Sequence, residues 1–461
     1  MAVLVAAYCS PGFSLGDFGY ISARQVADRF ADSGAAIPVV KEEKQSAAVS
    51  ARKTKDWTVM VYMNGKSNVE PFALADMNKL EAAGSSDRVN VVVEMGRMRG
   101  QDNDTDADGD WIGVRRYYVA RDNDPEKITS PVLMDLGRSD MGNWKNVAAF
   151  VKWTKANYPA EKYILVLWDH GWGWIDPPAS WRENGSGGRS ISHDFENQSY
   201  IKTTELKPLF ETIGHLDVYA SMACFMQMME VAYEFKSSPD VIVGSEEVIQ
   251  LASFDFEAII AALSAKPGMN AEAAGKVFTK TFHSLYTRPD IADQLVQTKY
   301  GVQLSAIRAA RLEGLAKLLD GWTELVRQAD NAGALKAALN GVVRFEVGDD
   351  ATDPQKLISP YADLYNFADL FADALPRDER YAPVRAKTAE LLSYIRSALV
   401  IDNVYSSKDR TGKDYKNTHG IAITVPGMPG TLVDASNRYE SLSFAQASSW
   451  GRFMEYLKLY R

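Results

Sequence analysis

Two residues of this chain could together cut an acyl bond. Cys224 follows the apolar run Leu216-Asp-Val-Tyr-Ala-Ser221, and His170 follows Tyr163-Ile-Leu-Val-Leu-Trp168. A thiolate is a strong nucleophile. An imidazole beside it can stabilise that thiolate and later protonate a leaving amine. The segment after Cys224 reads as a helix over Met226 to Phe235, whose positive end would lower the thiol pKa. Backbone amides at the two turns, those of Gly171 and Cys224, could stabilise an oxyanion. An inert core cysteine and a satisfied strand-end histidine are the bland readings, and position alone leaves them open.

Both residues need elements to position them. Apolar, β-branched runs at Trp57–Met63, Val89–Met95, Val114–Val119, 163–168, 216–221 and 241–244 read as strands. Helical spacing falls between them at 72–83, 144–158 and 204–213. Strands alternating with helices predict βαβ units: an α/β fold with a mostly parallel sheet and helices on both faces. In such sheets the ligand site lies beyond the carboxyl ends of the strands, where His170 and Cys224 fall. From 256 onward the pattern is mainly helical (256–264, 271–286, 307–328, 360–374, 380–399 and 448–460), with one strand at 420–425. The reading gives three segments: an N-terminal segment 1–55, a catalytic domain 56–265, and a mainly helical region 266–461 with one or more added strands.

Composition narrows the classes. The 461 residues are 46% apolar and 24% charged, ordinary values for a globular protein. The net charge of −9 argues against a phosphate-backbone binder, so nucleic acid is not an expected partner. Two cysteines, Cys9 and Cys224, exclude a disulfide framework and a Cys-rich zinc site. No run of 18 apolar residues occurs, so no spanning helix is expected. Met1–Cys9 is apolar but short and lacks a positive n-region. The small, polar stretch at 34–55 reads as a linker or pro-segment.

The motifs around the two residues say more. Tyr163-Ile-Leu-Val-Leu-Trp-Asp-His170-Gly171-Trp-Gly-Trp174 resembles the histidine motif of clostripain-like cysteine peptidases. Leu216 to Met226, with Glu230 to Phe235, is similar to their cysteine motif, and Val241-Ile-Val-Gly-Ser-Glu-Glu247 to the strand that follows. Trp57–Met63, Arg115–Tyr118, Met141-Gly142 and Asn157–Pro159 fit the same pattern. The resemblance covers roughly 55 to 250. It implies a caspase-like three-layer α/β/α fold and endopeptidase activity on proteins or peptides. His170 is then the catalytic histidine and Cys224 the nucleophile, with no cofactor needed for the chemistry. It also implies a bacterial protein that is secreted, periplasmic or surface-associated, activated by a clip between the two motifs. Arg182 and Arg189, in a Gly- and Ser-rich stretch, are the candidate autoprocessing sites.

The chain departs from the family at the specificity position. The family usually carries an aspartate two residues before the nucleophile, where it recognises Arg or Lys. Here Met222 stands, a polarisable apolar contact and not a counter-ion. An unpaired guanidinium against it would be costly, so an altered, apolar or small preference is expected. Glu246, Glu247, Asp194 or Asp255 could supply charge from another segment; Glu246 and Glu247 join Met222 as candidate substrate-binding residues.

Asp104, Asp106 and Asp108 alternate before Gly109, a spacing of hard oxygen donors that suits calcium. The twelfth position from Asp104 is Arg115 instead of the bidentate glutamate of an EF-hand. A solvated acidic loop is the competing reading. A non-catalytic calcium- or protein-binding surface protein that keeps the fold is the alternative function. His193 reads as surface, and His419 as lying at the opposite end of the sheet.

Overall fold

The structure is a computed structural model that describes residues 53–175, 190–250, 252–298, 300–345, 360–408, 412–426 and 439–460. Its strands in chain order are β1 (Lys55–Gly65), β2 (Val89–Arg97), β3 (Gly113–Tyr118), β4 (Val132–Asp135), β5 (Ala160–Trp168), β6 (Ile191–Asp194), β7 (Ser199–Ile201), β8 (Leu216–Met222), β9 (Pro239–Gly244), β10 (Val302–Arg308), β11 (Tyr361–Asp363), β12 (Val400–Ser406) and β13 (Ala422–Thr424). Nine of them form one sheet in the order β12-β10-β9-β8-β5-β1-β2-β3-β4.

The middle of that sheet is parallel: β2, β1, β5, β8 and β9 run the same way. These are the strands whose apolar runs were continuous, and their centres are fully buried. Antiparallel strands close both sides, β3 and β4 on one and β10 and β12 on the other. The helix Glu70–Ala83 packs against Phe256–Ala265, and Trp144–Asn157 against Thr203–Ile213. The helix Ala271–Tyr286 lies on β9, β10 and β12. The expected α/β/α layering around a largely parallel sheet is what the chain adopts.

Several elements differ from the sequence expectation. The run Val302–Arg308, given no element by the sequence reading, is a strand of the main sheet, and the helix expected from 307 begins at Leu312. Its residues Val302 to Ile307 are all buried between two strands. The strand expected at 420–425 is the shorter β13, and it pairs with β11 in a separate two-stranded sheet. That placement moves His419 as well. Gly420 N–H donates to Glu246 Oε2 at 3.1 Å, just beyond the end of β9, so His419-Gly420 sits at the same end as Cys224. β4, β12 and the helix Ala332–Gly341 had no clear sequence signal.

Candidate active site

The register of the sheet brings the two candidate residues to neighbouring strand ends. Trp168, the last residue of β5, pairs with Met222, the last of β8. His170 and Cys224 each lie two residues further on, so they leave adjacent strands at the same height. Asp169 N–H donates to Met222 O at 3.3 Å and keeps the two exits aligned. A methyl group at Gly171 would lie 2.6 Å from Cys224 O and 3.1 Å from Cys224 N. The glycine is therefore required for the two backbones to approach.

The loop after β1 supports the histidine. Asn64 Nδ2 donates to Asp169 Oδ2 at 3.1 Å and to Ser192 Oγ at 3.2 Å. Ser67 Oγ donates to Asp169 Oδ1 at 3.4 Å, and His193 N–H donates to Oδ2. Burial pushes the Asp169 carboxyl well above the usual range, while the backbone donors of His170 and His193 and the Ser67 hydroxyl pull it back. Lys66, fully buried, pairs with Asp194 at 3.2 Å and Glu196 at 2.7 Å. His170 itself is 8% exposed, and its Nε2 lies 2.7 Å from Asn68 Oδ1.

His193 is buried, 2% exposed, with its ring edge-on to His170 at 6.0 Å and stacked on Tyr200. This corrects the surface reading. β6 tucks under the His170 turn through the bridge of Gly171 to Ile191, a contact with no local signature. Asp194 is likewise committed to Lys66, Met141 N–H and Asn197.

The cysteine turn differs from the sequence expectation. Phe225 adopts φ +59°, and its N–H reaches Glu247 O at 3.3 Å. The helix starts only at Met229 and spans four residues, Met229–Ala232. Cys224 therefore does not sit at a helix N-terminus, and the dipole argument for its thiol is withdrawn. Its sulfur accepts Ile249 N–H at 3.4 Å. The chain's other cysteine, Cys9, lies outside the described residues. Bond cleavage by a cysteine needs the free thiolate.

Met222 is fully buried. Glu246 and Glu247 are buried beyond β9 and already engaged. Glu246 accepts Gly420 N–H, and burial with Asp363 beside it holds its carboxyl well above the usual range. Glu247 accepts Val248 N–H at 2.6 Å and the Tyr415 hydroxyl. Arg182 and Arg189 lie outside the described residues.

The aspartates of the acidic loop do not converge. Asp104 accepts Gly100 N–H, Asp108 accepts Ile128 N–H and Trp111 Nε1–H, and Asp106 is exposed. Arg115 pairs with Asp135 and stacks on Trp111. Among the described residues no group of three His, Cys, Asp or Glu forms a metal site. Asp104 and Asp108 are thus engaged with N–H donors of the protein itself. Among the described residues no helix is long and apolar enough to cross a membrane.

Comparison with known proteins agrees with the geometry. The sequence model of the clostripain family matches residues 61–457. The chain is 21% identical to clostripain of Hathewaya histolytica over 421 residues, 84% of this chain and 78% of that protein. Its fold is similar to a secreted C11 cysteine protease from Bacteroides thetaiotaomicron in complex with an irreversible peptide inhibitor (TM-score 0.59, 17% identity, 86% of this chain and 99% of that chain). It is also similar to an inactive zymogen C11 protease from Parabacteroides distasonis (TM-score 0.58, 16% identity, 86% and 98%). A family match across most of the sequence, with the histidine and cysteine motifs meeting at adjacent strand ends, means that the chain belongs to the clostripain family and is a cysteine-type endopeptidase.

Proposed function

We propose that the chain hydrolyses peptide bonds through a dyad of Cys224 and His170. The observation that carries this reading is the Trp168–Met222 pairing, which sets both residues two positions beyond one level of the sheet. The Cys224 thiolate attacks the scissile carbonyl carbon, and the N–H groups of Gly171 and Cys224 hold the resulting oxyanion. Collapse expels the amine, protonated by His170, and leaves a thioester. Water, deprotonated by the same ring, then releases the acid.

The P1 preference departs from Arg and Lys. Met222 supplies no carboxylate, and the nearby Glu246 and Glu247 are committed to Gly420, Tyr415 and Val248. A clip between Ile175 and Ser190, with Arg182 and Arg189 as candidate cuts, fits the zymogen described for the Parabacteroides relative. The flanks of that stretch stay joined through Trp172 N–H to Ser190 O at 2.9 Å, so cutting would free chain ends beside His170. Secretion fits the Bacteroides relative, which is described as secreted.

Labelling of the reduced protein with a peptidyl acyloxymethyl ketone tests the dyad. Wild type is expected to be modified and Cys224→Ala not at all, with His170→Ala slowed by about 100-fold or more. The mass of the labelled chain reports whether a clip precedes activity. Equal labelling of all three proteins would end the reading. For specificity, a peptide library should show little cleavage after Arg or Lys, and Met222→Asp should bring it in. A wild-type profile dominated by basic P1 residues would refute the altered preference.

A further inference from the structure

The hydrogen bond from His170 to Asn68 involves a residue that the sequence motifs do not mark. Asn68 Oδ1 lies 2.7 Å from His170 Nε2. A carbonyl oxygen carries no hydrogen, so the ring nitrogen donates, and in the neutral ring the lone pair then resides on Nδ1. We propose that Asn68 is a positioning residue that holds His170 in the Nε2–H form, making Nδ1 the atom that moves the proton. This inference rests on the Cys224–His170 reading.

The proton accounting is simple. The thiol proton passes from Sγ to Nδ1, and the thiolate left behind forms the carbon–sulfur bond. As the carbon–nitrogen bond breaks, that proton passes from Nδ1 to the departing amine. The Nε2 proton stays with Asn68 throughout. A neutral acceptor suits this task. It fixes the tautomer and ring orientation without adding a charge that would hold the imidazolium proton in place.

The surroundings explain how Asn68 is held. It follows Ser67, which binds Asp169, and its own carbonyl oxygen accepts Asn103 Nδ2–H at 3.1 Å. Asn103 belongs to the acidic loop and adopts φ +70°. That loop therefore braces the histidine from the β2–β3 connection, and Arg97 anchors it through Thr105 O and Ala107 O. Phe195 lies parallel to the imidazole at 6.4 Å. Among the described residues, the titratable groups near the ring include His193 from β6, the preceding Asp169 and Cys224 from the next strand end.

The pH dependence of labelling by the same peptidyl ketone tests this, read as kinact and KI. Asn68→Ala should lower kinact by about 10- to 100-fold, the usual cost of losing an outer partner of a histidine, with KI unchanged. Asn68→Asp keeps the acceptor, so labelling should persist. Its alkaline limb should move to higher pH, because a carboxylate at Nε2 favours the imidazolium. A merely structural role would not separate the two variants in this way. Wild-type kinact in Asn68→Ala, or identical pH profiles for the Ala and Asp variants, would overturn the proposal. Thermal melts of both variants show whether they fold. Failure of the dyad itself would appear separately, as undiminished labelling of Cys224→Ala and His170→Ala.

Discussion

The histidine side of the site has its buried carboxylates well supplied with donors. Asp169 takes Asn64, Ser67 and His193, and Asp194 takes Lys66, Met141 and Asn197. The cysteine side differs. Neither amide atom of Gln227 or Gln250 has a hydrogen-bond partner among the described residues, and one oxygen each of Glu230 and Glu246 is likewise unmatched there. Both sides are buried, so the contrast is not one of exposure. Donors converging on a buried carboxylate fix one local geometry. Unmatched buried polar atoms cost free energy.

This contrast can be broken by substitution. The largest effect is expected at Asp169. Asp169→Ala strips an acceptor from three donors at once, at about 1–3 kcal/mol each when left unmade. A loss of about 3 kcal/mol or more in urea unfolding is expected, together with slow labelling. A loss below 1 kcal/mol would mean that the histidine side is not the rigid one.

Next comes Glu230, which accepts Thr424 N–H at 2.9 Å and the Tyr439 hydroxyl at 3.3 Å. Burial pushes its carboxyl up to about 7. The folded chain then keeps a proton that the unfolded chain releases above about 4.3. Stability from this group is greatest below that value and falls as pH rises toward about 7. Glu230→Gln should flatten the fall between about pH 4.5 and 7, measured by melting across that range. An unchanged slope would remove Glu230 as a cause.

The smallest effect is expected at Gln250. Gln250→Leu removes two unmatched polar atoms, so stability should stay level or rise by up to about 1 kcal/mol. A loss larger than that would show that the amide has partners, and the contrast between the two sides would shrink.

Much of the molecule could be read from residues alone. Five parallel strands announced themselves because strands buried on both faces are largely apolar, as in Tyr163–Trp168. Position past such a run left His170 and Cys224 open as candidates, and the clostripain-like motifs around them marked them out. The edges were not. β4 is exposed along most of its length and β12 is half-buried, so neither carries a burial pattern. The Asn68 contact spans 102 residues, and no local pattern ties an asparagine after one strand to a histidine after another.

The sequence by itself determined the α/β class and the cysteine and histidine at strand ends. These follow from apolar runs, turn positions and side-chain types, which are local properties; the special place of Met222 came only from the motif resemblance. Only the tertiary structure decided the rest. It placed His193 beneath His170, brought His419 to the end of the sheet where Cys224 lies, and set Asn68 against the imidazole. Each of those outcomes is a contact between segments distant in the chain, fixed by sheet order and register, and a sequence pattern carries no record of either.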